Sequence, residues 1–314
     1  MTLRQLRYLR EIARQSLNIS AAAAALHTSQ PGVSRQIQLL ERELGIELLL
    51  RRRNRVHGFT PAGRSILGVA ERLLTEADNI RLIADDLRKE SGGRLALATS
   101  HLHARYTLLG PLKSFASRYP DVRMHVLQAD PDDIIGLIAS GEADIGISTE
   151  VTGEHPGLIL IPGEPIRRTI IMPPGHPLSG KNRITLSDIA RYPLVGYHQR
   201  SRGGQIIAQA FGDRGIDVRY VVNAADTDVI KAYVAQGLGI AIIPSIAYDP
   251  DVDRNLSAAD VTRLFPRTVM TVSLRKDTYP RRYLTEFIAM IMPGLGRDAI
   301  QRALGTTAAH DARH

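Results

Sequence analysis

Gln30, Ser34 and Gln38 stand four residues apart with Arg35 beside them, in a stretch from Gln30 to Leu40 that holds no acid. On a helix that spacing puts the three polar side chains on one face. Gln amides bond adenine edges, Arg bonds guanine edges or phosphate, and Ser bonds either. Ser29 suits an N-cap and Pro31 a first helical turn. Val33, Ile37, Leu40 and Leu44 make the opposite, buried stripe, and Gly45 ends the helix. Ser29, Gln30, Pro31, Ser34, Arg35 and Gln38 are therefore candidate readers of a duplex. The plainer reading of the same face is a solvated side of a small bundle. A second basic element follows within a few residues. Leu48–Thr60 reads as a short hairpin with Arg51, Arg52, Arg53 and Arg55 near its tip. Such a wing lies along phosphates or enters a minor groove.

Other elements must position these groups. Leu3, Leu6, Leu9, Ile12 and Ala13 recur at helical spacing, predicting a helix over Thr2–Arg14. Asn18 or Ser20 can cap a second helix through Ala21–Leu26, whose small side chains allow close helix approach. Two short helices, a tight turn and a polar second helix make a helix-turn-helix. Thr60-Pro61-Ala62-Gly63 starts another helix, along which Ile66, Val69, Leu73, Ala77, Ile80, Ile83 and Leu87 recur at steps of three or four. A lone helix cannot bury such a stripe, so pairing with a second copy is expected, and Ser91-Gly92-Gly93 reads as a hinge.

Charge agrees with this division. Residues 1–64 hold eleven Arg, no Lys and four Glu, whereas residues 65–314 hold 29 basic and 28 acidic residues. The excess positive charge points to a polyanion partner for the first segment alone. Over 314 residues the composition is that of a globular protein, 44% hydrophobic and 23% charged. Cys is absent, which excludes disulfides, thiolate nucleophiles and Cys-ligated metals. No apolar run reaches the ~20 residues of a membrane span. Met1–Arg7 alternates charge with leucine and lacks a signal-peptide core, so no membrane association and a cytoplasmic location are expected.

From Arg94 onward strands and helices alternate: strands at Arg94–Thr99, Val122–Gln128 and Ala143–Ser148, helices at Thr107–Tyr119 and Pro131–Ser140. A second set has strands at Arg168–Met172, Val218–Val222 and Ile240–Pro244 with helices at Gly204–Arg214 and Asp226–Gln236. A strand at Thr268–Leu274 returns to the first set before a helix around Arg281–Met292. This order predicts α/β structure with a mostly parallel sheet.

The strings Leu3…Leu6-Arg7-Tyr8, Ala22–Ala25, Ser29–Ile37, Leu40-Glu41, Leu44-Gly45 and Thr60–Gly63 resemble the LysR-type transcriptional regulators. Within them, Thr99-Ser100-His101, Ala104-Arg105-Tyr106, Gly146–Glu150, Tyr192–Val195 and Asp226–Val234 resemble the CysB/Cbl branch, activators of sulfur-assimilation and sulfonate-utilisation genes. The resemblance implies a winged helix-turn-helix at 1–59, a linker and dimerisation helix at 60–90, and an effector domain at 91–305. That domain would be two-lobed, α/β and like a periplasmic binding protein, with lobe I at about 94–165 and 267–300 and lobe II at about 166–266. Residues 306–314 read as a disordered tail. Homodimers assembling into a homotetramer, double-stranded promoter DNA and RNA polymerase are the implied partners. A small anionic sulfur metabolite of the sulfate, adenosine phosphosulfate or acetylserine class is the implied effector.

Three segments would meet at the cleft between the lobes: Ser100-His101-Leu102-His103, Ser148-Thr149, and the turn holding Gln199, Arg202 and Gly203. Thr227, in the branch-like string, completes the ligand-binding candidates. Hydroxyls, helix-starting N–H groups and an Arg fork suit an anion. Relative to the branch, Leu102 and Arg202 stand where Thr is usual and His103 where Gln is usual, so a ligand larger or more charged than sulfate is expected. His101 and His103 have no third metal ligand in view, and neither metal nor cofactor is expected. Asp132, Asp133, Asp226 and Asp228 read as helix N-terminal acids, and Lys231 as structural. An enzyme with a DNA-binding appendage is a rival, opposed by the lack of a thiol, a nucleophile elbow or a phosphate-binding Gly loop. Two further readings are a constitutive nucleoid-binding protein, which would need no cleft, and a LysR-type regulator sensing a different small organic anion.

Overall fold

The computed structural model describes residues 1–52, 55–87, 92–149, 151, 153, 155–198, 201–276, 278–295 and 297–304. Arg53, Gln199, Ser91 of the expected hinge and the expected tail lie outside the described residues. The chain divides into two units, Met1–Lys89 with Asp277–Tyr279, and Glu90–Lys276 with Pro280–His314.

In the first unit Thr2 caps α1 (Leu3–Arg14) through a reciprocal box with Gln5. Asn18 caps α2 (Ile19–Ala25), and Ser29 caps α3 (Gln30–Leu44), which stops at Gly45 with φ +70°. Leu6, Leu9, Ile12, Ala22, Val33, Ile37 and Leu40 close a common core. Leu44, expected in that stripe, is instead exposed: it lies in the last turn beside the exposed segment Gly45–Glu47. β1 (Leu49–Arg52) and β2 (Arg55–Phe59) form an antiparallel hairpin with a bulge between Leu50 and Arg51. Thr60 then caps α4 (Pro61–Leu87): its Oγ1 accepts from Gly63 N–H at 2.8 Å and donates to the Glu47 carbonyl at 2.7 Å. A Cβ at Gly63 would lie 2.0 Å from the Leu48 carbonyl oxygen, so only glycine lets the helix start this close to the hairpin. The apolar residues of α4 divide between two faces, and the buried ones lie outside the expected stripe, of which Ile66 alone packs against the core among the described residues. Ala70 and Leu74 join the core, while Val69, Leu73, Ile80 and Ile83 stay exposed, Ile80 at 69%.

The second unit begins with β3 (Gly93–Thr99) and continues through α5 (Leu109–Arg118), β4 (Val122–Gln128), α6 (Pro131–Ser140), β5 (Ile145–Thr149) and β6 (Leu158–Ile166). It then builds a second lobe from β7 (Arg168–Met172), α7 (Leu186–Ile189), β8 (Leu194–Tyr197), α8 (Arg202–Gly212), β9 (Tyr220–Ala224), α9 (Thr227–Ala235), β10 (Ala241–Pro244) and β11 (Ser257–Asp260). It returns through β12 (Thr268–Arg275) and ends in α10 (Arg282–Ile291) and α11 (Arg297–Ala303).

The first-lobe sheet has the order β4-β3-β5-β12-β6. In the second lobe β7 lies between β10 and β11, and β8 pairs with β9. The sheets are mixed rather than mostly parallel. β3 is parallel to β4 and β5, and β8 to β9, but β12 runs antiparallel to β5 and β6, and β7 antiparallel to both neighbours. The cause is the connectivity: the chain leaves the first sheet through β6 and re-enters through β12, so adjacent β6 and β12 run in opposite directions. Separate apolar cores fill the lobes, one around Phe115, Phe287 and Ile288, another around Ile189, Phe211 and Ile242.

Candidate functional site

On the first unit the outward side of α3 is as the spacing predicts. Gln30, Arg35 and Gln38 are exposed and Ser34 half-buried. The Gln30 Nε2 donates to Ser34 Oγ at 3.2 Å, which aligns both side chains along the helix. Ser29 spends its hydroxyl on the cap, accepting from Gly32 N–H at 3.3 Å, and Pro31 is exposed in the first turn. Arg52 and Arg55 face each other across the hairpin register, both exposed.

Arg51 departs from the expectation of a phosphate contact. Its Nη1 and Nη2 donate to Glu41 Oε1 and Oε2 at 3.0 and 2.9 Å. Glu41 is buried on α3, and its Oε1 also accepts from the Leu48 and Leu49 N–H groups at 2.9 and 3.2 Å. The fork of Arg51 is thus committed to a carboxylate that would otherwise be buried without a counter-charge. Glu41 ties the hairpin to the helix and was overlooked in the sequence. The available signal was an acid one residue beyond Leu40 and one turn beyond Ile37, at the edge of the buried stripe.

In the second unit a cavity of about 150 Å³ opens between the lobes. Ser100, His101 and Leu102 line it from the segment after β3, and Thr149 from the end of β5. Arg202, Gly203 and Thr227 line it from the second lobe. The sequence thus located the cavity from both sides. The N-termini of α6, α8 and α9 all reach this wall, at Asp130-Pro131, Ser201–Gly203 and Asp226-Thr227. Each brings N–H groups and the positive end of a helix dipole. Ser201 and Asp226 cap their helices by accepting from Gly204 and Val229 N–H groups. A Cβ at Gly204 would lie 2.7 Å from the His198 carbonyl, so glycine is needed where α8 starts against that turn.

Two expected residues lie elsewhere. His103 is 3% exposed and does not line the cavity. Its Nδ1 is 2.9 Å from Thr107 Oγ1 and its Nε2 3.2 Å from Thr149 Oγ1, so it backs the wall and orients the Thr149 hydroxyl. Burial pushes its pKa down to about 4, so it is neutral there rather than an added positive charge. Ser148, at β5, is fully buried away from the lining. The Oγ atoms of Ser100 and Ser148 are buried with no hydrogen-bond partner among the described residues, but only Ser100 lies at the cavity.

Arg168 and Tyr197 also line the cavity and were not anticipated. Arg168 is 2% exposed at the start of β7, with its guanidinium 5.7 Å from the centre of the Phe265 ring. The Tyr197 hydroxyl is 2.7 Å from Thr227 Oγ1, and burial raises its pKa well above the ordinary range. The pair Arg167-Arg168 opening an apolar strand was the signal for the first.

His101 and His103 do not share a ligand position. His101 instead gathers with Asp226 and Asp228, their polar atoms within 4.8 Å of one another. Arg105 Nε lies 3.3 Å from Asp228 Oδ2 and the Tyr106 hydroxyl donates to Oδ1 at 2.6 Å, so the carboxylate is already compensated and the group reads as an ion-pair network. Lys231 is structural as expected, 2.7 Å from Asp253 and 2.9 Å from the Ala247 carbonyl. Among the described residues no helix is long and apolar enough to cross a membrane.

Comparison with known proteins covers both units. Residues 3–64 match the bacterial regulatory helix-turn-helix protein, lysR family, and residues 88–295 match the LysR substrate binding domain. The chain is 39% identical over 300 residues to the HTH-type transcriptional regulator SsuR of Burkholderia cenocepacia, covering 96% of this chain and 97% of that one. It is 38% identical over 302 residues to the HTH-type transcriptional regulator cbl of Escherichia coli, covering 96% of each. The solved cofactor-binding domain of the Cbl transcriptional regulator superposes with a TM-score of 0.63 at 34% identity, over 68% of this chain and 93% of that one. A helix with an outward polar face beside an arginine hairpin, and a cavity between two α/β lobes, accord with these matches: the chain belongs to the LysR family of transcriptional regulators.

Proposed function

We propose that this LysR-family regulator activates sulfur-assimilation or organosulfonate-utilisation genes in response to a small anion held in the cavity of its second unit. One observation carries the reading. The N-termini of three helices, α6, α8 and α9, converge on a cavity that Ser100, Arg168 and Arg202 also line. Helix-starting N–H groups together with arginine side chains suit an anion. The relatives SsuR and Cbl support the branch that the sequence motifs suggested.

A cavity near 150 Å³ accommodates a benzene-sized molecule. Sulfate or an acetylated serine fits that size, whereas adenosine phosphosulfate requires the lobes to part. Leu102 removes a hydroxyl and Arg202 adds a permanent cation, which supports an anion larger or more charged than bare sulfate. Gln30, Ser34, Arg35 and Gln38 read the major groove while Arg52 and Arg55 hold phosphates. Two chains pair along the exposed Val69, Leu73, Ile80 and Ile83 of α4, then further into a tetramer. The effector changes DNA bending and the access of RNA polymerase.

A thermal-shift panel of sulfate, thiosulfate, O-acetylserine, N-acetylserine and adenosine phosphosulfate tests the reading, since a bound anion raises apparent stability with the logarithm of its concentration. At least one sulfur compound is expected to raise Tm where chloride does not. Stabilisation by unrelated organic anions alone would overturn the pathway assignment.

A further inference from the structure

Beside the cavity, three donors from the first lobe converge on one carboxylate of the second. His101 Nε2–H donates to Asp228 Oδ2 at 3.0 Å, Arg105 Nε lies 3.3 Å from the same oxygen, and the Tyr106 hydroxyl donates to Oδ1 at 2.6 Å. All three donors come from the segment that leaves β3, where His103–Thr107 forms a π-helical turn. Such turns concentrate at functional sites because the extra residue per turn redirects side chains. Asp228 is the second residue of α9, immediately after the cavity-lining Thr227.

The apolar contacts follow the same line. Leu102 and Tyr106 pack against the second-lobe core formed by Ile171, Val195, Ile230 and Ile243. One turn along α9, the Lys231 ammonium sits 5.6 Å from the centre of the Tyr106 ring while anchored to Asp253. Burial alone would raise the Asp228 pKa, but the bonds from Tyr106 and His101 and the charges of Arg105 and Lys231 outweigh it and hold the carboxyl below its ordinary range.

We propose that Asp228 is a positioning residue of the effector cleft: its carboxylate clasps the 101–106 segment of one lobe to α9 of the other, keeping the lobes closed around the cavity before a ligand enters and fixing His101 in its wall. This rests on the reading that the cavity takes the effector. The effector then stabilises a closure that already exists, and its apparent affinity scales with the fraction of chains that are closed. Asp228 does not touch the ligand; it acts through His101 and through the lobe angle.

The experiment uses the full chain. The protein contains no Cys, so Ser117→Cys on α5 and Asp217→Cys beyond α8, both exposed, accept spin labels cleanly. Labelled chains diluted into unlabelled protein report the distance between lobes within one chain. The parent is expected to give a ligand-free distribution dominated by one narrow peak, with any longer-distance minority shrinking on addition of millimolar sodium sulfate or O-acetylserine. Asp228→Asn is expected to broaden the ligand-free distribution and weaken binding of whichever probe binds the parent by about ten-fold, through the lost closed fraction. Arg105→Gln, at an exposed side chain, is expected to broaden it less and serves if Asp228→Asn fails to fold. An unchanged ligand-free distribution in the folded variants overturns the clasp. If no probe binds the parent, the effector reading fails while the ligand-free distances still decide the clasp.

Discussion

Glu41 and Asp228 are each a carboxylate on a helix holding neighbouring elements together, yet they are built differently. Glu41 is buried, and its partners Leu48, Leu49 and Arg51 lie seven to ten residues away in the chain. Asp228 is 36% exposed at its side chain, and its partners His101 and Tyr106 lie 127 and 122 residues away. Water cannot replace the partners of the first without unfolding the hairpin, whereas it can compete for those of the second. The joint in the basic head is therefore shielded from water, and the one between the lobes is partly open to it. A duplex reader gains from a rigid presentation of its side chains. A sensor needs two arrangements separated by only a few kcal/mol.

The largest effect that tests this contrast is expected from Glu41→Ala. It strands Arg51 and two backbone N–H groups, and breaking a buried pair in this way costs about 3–5 kcal/mol. Urea unfolding followed by a probe in the head should show it, while Asp228→Asn should cost only about 1 kcal/mol after allowance for solvent screening. Equal losses in the two variants would erase the distinction.

The next effect is a pH dependence of the second unit. His103 has a folded pKa near 4 against an ordinary 6.5, so the unfolded chain takes up the proton first. Stability from this residue is intact above about 6.5, falls as pH drops through the interval, and is fully lost below about 4, a total of about 3 kcal/mol. His103→Gln should flatten that part of the unfolding curve between pH 7 and pH 4, and a slope as steep as the parent's would refute the assignment.

The smallest effects concern salt. Arg52→Ala and Arg55→Ala should each reduce the slope of log affinity against log salt by about 0.9, as for the loss of one phosphate contact. Arg51→Ala should change the slope less and the stability more, because its fork is held by Glu41. Equal slope changes at all three positions would mean that Arg51 exchanges its partner for phosphate on the duplex.

The head was largely legible from sequence because its logic is local. The caps Asn18, Ser29 and Thr60, the stop at Gly45 and the Gln30–Gln38 face are set within one or two helical turns, although Thr2, expected inside the first helix, is its cap. Leu44 failed because a periodic stripe says which face is apolar but not where the neighbouring helices stop covering it. In the second unit β6, β8 and β11 went unassigned and the sheets were expected to be mostly parallel, since strand direction depends on which distant strand each one pairs with. The cavity segments were found from strand ends and family-like strings, but Arg168 and the Asp228 clasp were not, because a single charge in a sequence does not reveal what will face it.

The order of residues along the chain determined where helices begin and end, which segment carries the excess positive charge, and which short strings lie at strand ends, because capping, periodicity and charge act between near neighbours. The folded arrangement alone decided that Arg51 faces Glu41, that His103 backs Thr149, and that Asp228 spans the two lobes. Each of those outcomes depends on burial and on distances of about 3 Å between groups brought together by packing.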